Sequence, residues 1–243
     1  MPTAEARLPR TLRRMGYDVA TLAMFRHPGL PDTLERVPLE AFTDNARAAR
    51  KRGASCIVLV GTSRGGELAL LLASVAPEAF DAYVSLVPSS VAGSAVKISP
   101  FNTPAWTWKG RDVPYMRLNR TSLNGVGWVL SRGERRAAYN LAMTRGAYDR
   151  LPPDHPSRIP IERIRRPVLM VSARRDQVWP SDRMARDVFD RAERSGTSEL
   201  LGWARLDADH YIGDRADMLA AVVGFLERHV PRDARCGEHD RNR

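Results

Sequence analysis

Apolar and polar positions along this chain switch between two periods. The run "SCIVLVG" (55–61) is continuously apolar, as a strand becomes when helices cover both its faces. It leads into "GGELALLLASVAP", spaced as a helix, and then into "FDAYVSLVP", a second strand. The same alternation returns later with the strand "RPVLMVSA" and the helix "SDRMARDVFDRAERSG". A strand within "SELLGWARL" and the helix "ADMLAAVVGFLERHV" follow. Upstream, "LPRTLRRMGY" reads as a short helix, "DVATLAMF" as a buried strand and "HPGLPDTL" as a loop. In "PLEAFTDNARAARKRG" the residues Leu39, Phe42, Ala46 and Ala49 share a helical face, with Pro38 in the first turn and Gly53 at the end. Between 89 and 160 the pattern is irregular, punctuated by proline and tryptophan around a helical piece near "ERRAAYNLAMTRGAY".

Strand and helix alternating in this way predict an α/β fold with a mainly parallel sheet flanked by helices. The expectation is one domain over 1–230, with 91–160 an excursion over the active site. The polar tail 231–243 is expected to be disordered.

Composition narrows the function classes. The apolar content of 43% is that of a globular protein, and no apolar run reaches the length of a membrane span. The formal charge is +10, and with lysine only at Lys51, Lys97 and Lys109 it is carried by arginine. Those arginines are scattered, without the aromatic interleaving or zinc-ligand spacing of a nucleic-acid binder, so no nucleic-acid partner is expected. The start, "MPTAEARLPRTLRRMGY", has no apolar core of a secretory signal. Cys56 heads an apolar strand and reads as a small core residue, and Cys236 lies in the polar tail. No disulfide framework and a cytoplasmic location are the expectation.

Between the strand and helix of 57–74 stands G-x-S-x-G, formed by Gly61, Ser63 and Gly65. A strand turning sharply into a helix there pushes Ser63 above the sheet. The backbone N–H of Arg64, at the helix start, faces the same spot and can stabilise an oxyanion. A serine hydroxyl needs a base and an orienting acid, in the chain order Ser, Asp, His on this kind of turn. Asp176 follows the strand "RPVLMVSA" and His210 follows the next strand, both at C-terminal strand ends where α/β sites lie. Asp182, in "PSD" before a helix, is a rival acid that also fits an N-cap. His27, His155, His229 and His239 lie in loops, the last helix or the tail. Asp207 and Asp209 beside His210 lack a second histidine, so no metal and no cofactor are expected.

The chain resembles the C-terminal catalytic domain shared by acyl-CoA thioesterases and bile acid-CoA:amino acid N-acyltransferases, within the α/β-hydrolase superfamily. The stretches that carry the resemblance run from about 12 to 228. They include "FRHPGLPDTLERVPLEAF", "GTSRGGELALLLAS", "PAWTWKGRDVPYM" and "IPIERIRRPVLMVSARRDQVWPS", with "DADHYI" at the end. The resemblance implies Ser63 as nucleophile, Asp176 as acid, His210 as base and the Arg64 amide as oxyanion donor. It implies hydrolysis of an acyl thioester, acyl-CoA to free acid and CoA, through an acyl-enzyme. The acyltransferase branch carries cysteine at the nucleophile position, so serine favours water as acceptor. Trp106 and Trp108, in a segment 96–115 expected over the site, are candidates to shape the acyl pocket, against the alternative that they fill the loop's own core. Carboxylic ester or lactone hydrolysis of the dienelactone hydrolase type is the alternative chemistry.

One departure is expected to matter. In the α/β-hydrolase order a further strand and a Gly-rich loop precede "DVATLAMF", and that strand lies between "DVATLAMF" and "SCIVLVG". The chain as given starts after it. The expectation is a displaced strand, a gap or a strand recruited from another chain, and a catalytically weak, acyl-binding protein in the extreme case.

Overall fold

The computed structural model describes residues 6–95, 101–231 and 236. In chain order its elements are α1 (Arg7–Arg14), β1 (Val37–Pro38), α2 (Glu40–Lys51), β2 (Val58–Thr62), α3 (Arg64–Val75) and β3 (Ala82–Leu86). They continue with β4 (Trp106–Trp108), β5 (Arg111–Asp112), α4 (Leu123–Leu130), α5 (Gly133–Asp149), β6 (Val168–Ala173), α6 (Ser181–Ser195), β7 (Leu201–Leu206) and α7 (Ala216–His229). Strands β2, β3, β6 and β7 form one parallel sheet in the order β2-β3-β6-β7. A small separate sheet pairs β1 with β4 and β4 with β5.

The period of two decides what each face of the main sheet buries. Tyr83, Val168 and Met170 point to one side, where they pack with Phe42 of α2, Leu70 and Leu72 of α3 and Val188 of α6. Their neighbours Ala82, Val84, Leu169 and Val171 point to the other, against Leu12 of α1 and Val222 and Phe225 of α7. Strands β3 and β6, at the centre, are buried throughout, which explains why both read as unbroken apolar runs. Tyr17 helps hold α1 to this layer by donating from its hydroxyl to the Val230 carbonyl at 2.9 Å.

Two expectations are corrected here. The segment "DVATLAMF" is not a strand: none of its residues pairs with a strand among the described residues. Val19 packs toward the α1–α7 layer and Met24 and Phe25 toward the other, while Leu22 is exposed. Apolar, β-prone residues fit a pleated surface, but a strand forms only where a neighbour takes its N–H and C=O groups. The outer edge of β2 offers no such pairing. Because Ser63 donates its N–H to Leu86 on β3, the alternate backbone groups at Val58, Val60 and Thr62 face the other way, where the described residues hold no partner. Of the outcomes foreseen for this edge, a displaced "DVATLAMF" strand is not seen, and within the described residues the outer edge of β2 is unpaired.

The second correction concerns the cysteines. Cys56 and Cys236, 180 residues apart in sequence, are joined by a disulfide, so the end of the chain is tied to the approach to β2. Spacing alone gave no sign of this, since the two meet only after the sheet and α7 are assembled. The expected disorder of the tail falls, apart from Pro231 and Cys236, outside the described residues.

Candidate active site

Ser63 sits between β2 and α3 with φ 59° and ψ −116°, a backbone conformation that side chains other than glycine rarely take. Such a residue persists only when its surroundings over-determine it. Here Ser63 donates its N–H to Leu86 at 3.0 Å and accepts the Glu67 N–H at 3.0 Å. Glycines on either side let the turn close. A Cβ on Gly61 would lie 1.9 Å from the Gly65 carbonyl oxygen, and one on Gly66 would lie 2.6 Å from the Leu86 oxygen. A Cβ on Gly65 itself would meet nothing within 4 Å. The requirement therefore falls on Gly61 and Gly66, and Gly65 matters as the backbone that Gly61 touches.

The other two residues arrive from the C-terminal ends of β6 and β7. His210 Nε2 lies 2.8 Å from Ser63 Oγ, and His210 Nδ1 lies 2.9 Å from both Asp176 oxygens. Asp176 Oδ1 also accepts the backbone N–H groups of Val178 at 2.8 Å and Trp179 at 3.2 Å, which fixes the carboxylate in place. His210 and Asp176 are both buried, and the edge of the Trp179 ring packs on the imidazole with centroids 5.0 Å apart. With Nδ1–H donated to a carboxylate, the lone pair on Nε2 is left facing the serine hydroxyl. The geometry can therefore pull a proton from Ser63 Oγ. The Arg64 N–H, at the first position of α3, has no acceptor among the described residues and lies beside the serine.

The rival acids are occupied elsewhere. Asp182 accepts from the Arg205 guanidinium at 2.7 and 2.9 Å and from the Ser172 hydroxyl at 2.9 Å, and the Arg205 bonds hold its carboxyl below the usual range. Asp209 accepts the Tyr211 N–H, and Asp207 pairs with Arg175. Among the described residues, only Cys56, Asp81 and Cys236 bring three possible metal ligands close together. The two sulfurs are bonded to each other, and Asp81 is engaged by Arg50 and the Ile57 N–H.

A cavity of about 1420 Å³ opens over Ser63. Met24, Phe25, Met116, Trp128, Leu141 and Trp179 are among its lining residues, so its wall is largely apolar. Most of its far side comes from α4 and α5. Trp106 and Trp108 do not line it, which corrects their assignment to the pocket. Trp106 is fully buried against Phe42, and Trp108 packs on the same core. They lie on a strand, paired with β1 and β5, rather than in an open loop. The first part of the segment expected over the site, 96–100, lies outside the described residues.

Trp106 nevertheless touches the site indirectly, through a residue that sequence reasoning passed over. Its indole N–H donates to Glu67 at 2.6 Å. Glu67 is 1% exposed, also accepts the Gly93 N–H at 2.9 Å, and forms an ion pair with the Arg64 side chain. Arg64 in turn donates to the Ser94 carbonyl. One buried carboxylate thus ties together α3, the loop after β3 and β4. The signal was present: a single acid inside "GGELALLLAS", where every neighbour is apolar or small. Nearby, Arg120 donates to Ser94 Oγ and Ala95 O, and burial, with Arg64 close by, pushes its guanidinium below its ordinary value.

Comparison with known proteins bears on the family and the fold of the chain. The model of the BAAT/acyl-CoA thioester hydrolase C-terminal domain matches residues 50–213. Acyl-coenzyme A thioesterase 6 of Mus musculus is 28% identical over 185 residues, which is 74% of this chain and 39% of the mouse protein. The chain thus spans well under half the length of that relative. Among solved structures, the monoacylglycerol lipase of Paleococcus ferrophilus superposes with a TM-score of 0.55 at 15% identity, over 92% of this chain and 88% of that one. An esterase of Pyrococcus furiosus does so with a TM-score of 0.50 at 14% identity, over 79% and 62%. At such identities the likeness establishes a shared α/β-hydrolase fold and leaves the chemistry to the site.

Proposed function

The chain belongs to the BAAT/acyl-CoA thioester hydrolase C-terminal family, and from that premise we propose that it hydrolyses an acyl thioester, acyl-CoA foremost, with Ser63 as nucleophile. The observation that carries the reading is the position of His210, whose two ring nitrogens reach Ser63 and Asp176 at hydrogen-bonding distance beneath an apolar cavity. In the proposed first half-reaction, His210 Nε2 takes the Ser63 proton as Oγ bonds to the thioester carbon. The Arg64 N–H faces the oxyanion that forms. The carbon–sulfur bond then breaks, the thiol leaves with the proton held by His210, and an acyl group remains on Ser63. Water then attacks the acyl carbon while giving its proton to His210, the carbon–Oγ bond breaks, His210 returns that proton to Ser63 Oγ, and the free acid departs. Asp176 holds the imidazole in one tautomer throughout, by the contact of its carboxylate with Nδ1. The apolar wall suits the acyl chain, and no cofactor is needed for any of these steps.

The test combines a probe with a substrate series. A fluorophosphonate should label the wild type and miss Ser63→Ala, and hydrolysis of acyl-CoA esters should fall by at least about a thousandfold in that variant. Labelling that survives the substitution would falsify the assignment. Simple carboxylic esters measured beside thioesters separate the dienelactone hydrolase type of chemistry from this one.

A second reading, an acyl-binding protein of low turnover, is favoured by the open edge of β2. The strand that presents Ser63 is paired on one side only among the described residues, so the turn it supports is less firmly held. Slow turnover in a protein that still labels at Ser63 would select this second reading.

A further inference from the structure

Large apolar side chains left exposed on this molecule are not scattered. Of the nine among the described residues, five fall within 123–139, on the hairpin of α4 and α5: Leu123, Val126, Val129, Leu130 and Tyr139. Leu123 is 90% exposed and Leu130 78%. Leu123, Val126 and Leu130 follow one another at helical spacing, so they form a stripe along the outer side of α4. The hairpin is held by close approaches rather than by a core of its own. A Cβ on Gly125 would lie 2.2 Å from the Arg120 carbonyl oxygen, and one on Gly127 would lie 2.6 Å from the Tyr139 ring. A stripe this exposed on so tightly built a helix needs a function or a cover.

Two further observations say what covers it. The first is charge. Arg117, Arg132 and Arg135 are exposed on or beside this hairpin, where Glu134 is the one exposed acid between 117 and 139 among the described residues. An apolar stripe edged by arginine complements an anionic, apolar-cored surface. The second is continuity. Val126 and Leu130 of the stripe, and the exposed Val129 beside them, also line the cavity over Ser63. A long acyl chain leaving a lipid layer at α4 would therefore enter the cavity along apolar side chains without crossing water.

We propose that the α4–α5 hairpin is a lipid-surface docking element, through which the protein sits on anionic membranes and draws acyl substrates from them. Leu123 and Leu130 enter the acyl region and the arginines engage phosphates of the headgroups. The drawing of acyl substrates rests on the thioesterase reading, whereas docking itself requires no hydrolysis and is tested separately from it.

The experiment uses the full chain with Ser63→Ala, so that no lipid is turned over, in co-sedimentation with phosphatidylcholine vesicles with and without phosphatidylglycerol. Binding should be strong only with phosphatidylglycerol and should weaken as salt is raised. Leu123→Asp should reduce that binding by about tenfold or more, the loss expected for replacing one inserted leucine with a charge. Asp is tolerated at the first position of a helix, so the variant should fold, as circular dichroism will verify. The double variant Arg132→Gln/Arg135→Gln should lose the preference for anionic vesicles. In a Ser63 background, hydrolysis of a short, water-soluble acyl thioester should be the same with and without Leu123→Asp, since Leu123 does not line the cavity. Failure of the wild-type surface to sediment with anionic vesicles overturns the proposal. So does undiminished binding by Leu123→Asp. A dimer that forms without lipid and is abolished by Leu123→Asp overturns it too, in favour of a second copy as the cover.

Discussion

At the scale of single residues, the turn that carries Ser63 separates two glycines that a motif treats alike. Gly61→Ala places a methyl group 1.9 Å from a backbone oxygen that cannot move without shifting α3. Gly65→Ala places one in open space, on a helix where alanine is the better residue. The first substitution should destabilise the protein by about 3 kcal/mol or more and remove serine labelling. The second should leave stability unchanged or raise it by up to about 1 kcal/mol. Urea unfolding of the two variants checks both, and equal losses would show that the clash at Gly61 is relieved elsewhere. Glu67 is the other residue on which the neighbourhood turns. It takes donors from three separate segments, and its role follows from burial that only the assembled fold creates.

At the scale of elements, legibility followed the source of each signal. The strands of the main sheet and helices α2, α3, α6 and α7 were legible because their apolar periods are long and unbroken. Ser63, Asp176 and His210 were legible because each stands at the C-terminal end of such a strand, and chain order left few other choices. Three things were not. Helix α4 has only eight residues and two glycines, so its period is too short to register. The small sheet of β1, β4 and β5 exists through contacts between segments some 70 residues apart, and it took Trp106 into the core and out of the pocket. The segment 18–25 has the composition of a strand, but composition does not report whether a partner is present. Asp182 shows the same limit: "PSD" fits a cap, an acid or an ion pair, and only the folded β7 brings Arg205 to it. That pair makes a prediction for acid stability. The carboxyl is held below its unfolded value of about 3.9, so its contribution is complete above that pH and is lost as the pH falls through the folded value. Asp182→Asn should cost about 1 kcal/mol at neutral pH, given how open Arg205 is to solvent, and should flatten the fall in stability below about pH 4. Acid titration of unfolding free energy for both proteins tests it; parallel curves would assign that fall to other groups.

At the scale of the whole molecule, the disulfide links the approach to β2 with the end of the chain. Cys56 precedes β2 and Ser63 follows it, so the bond and the nucleophile are separated by the length of a strand, roughly 20 Å. Cys236→Ser should therefore lower stability, by at most about 5 kcal/mol on the chain-entropy account of so long a loop, while leaving Ser63 labelling intact. Thermal unfolding with and without reductant measures the first effect and probe labelling the second. Disulfides persist in oxidising compartments, so thiol titration of protein taken directly from its host reports which compartment it occupies. The bond also changes what a cut in the backbone means. Residues 56 to 236 form one covalent ring, and Ser63, Asp176 and His210 all lie within it. A protease that nicks the connection between α4 and α5 opens the ring but releases nothing, and the pieces stay attached through sulfur. Only a second cut inside the ring can separate the serine from its histidine, so the machinery tolerates a first injury that would divide an unbridged chain in two.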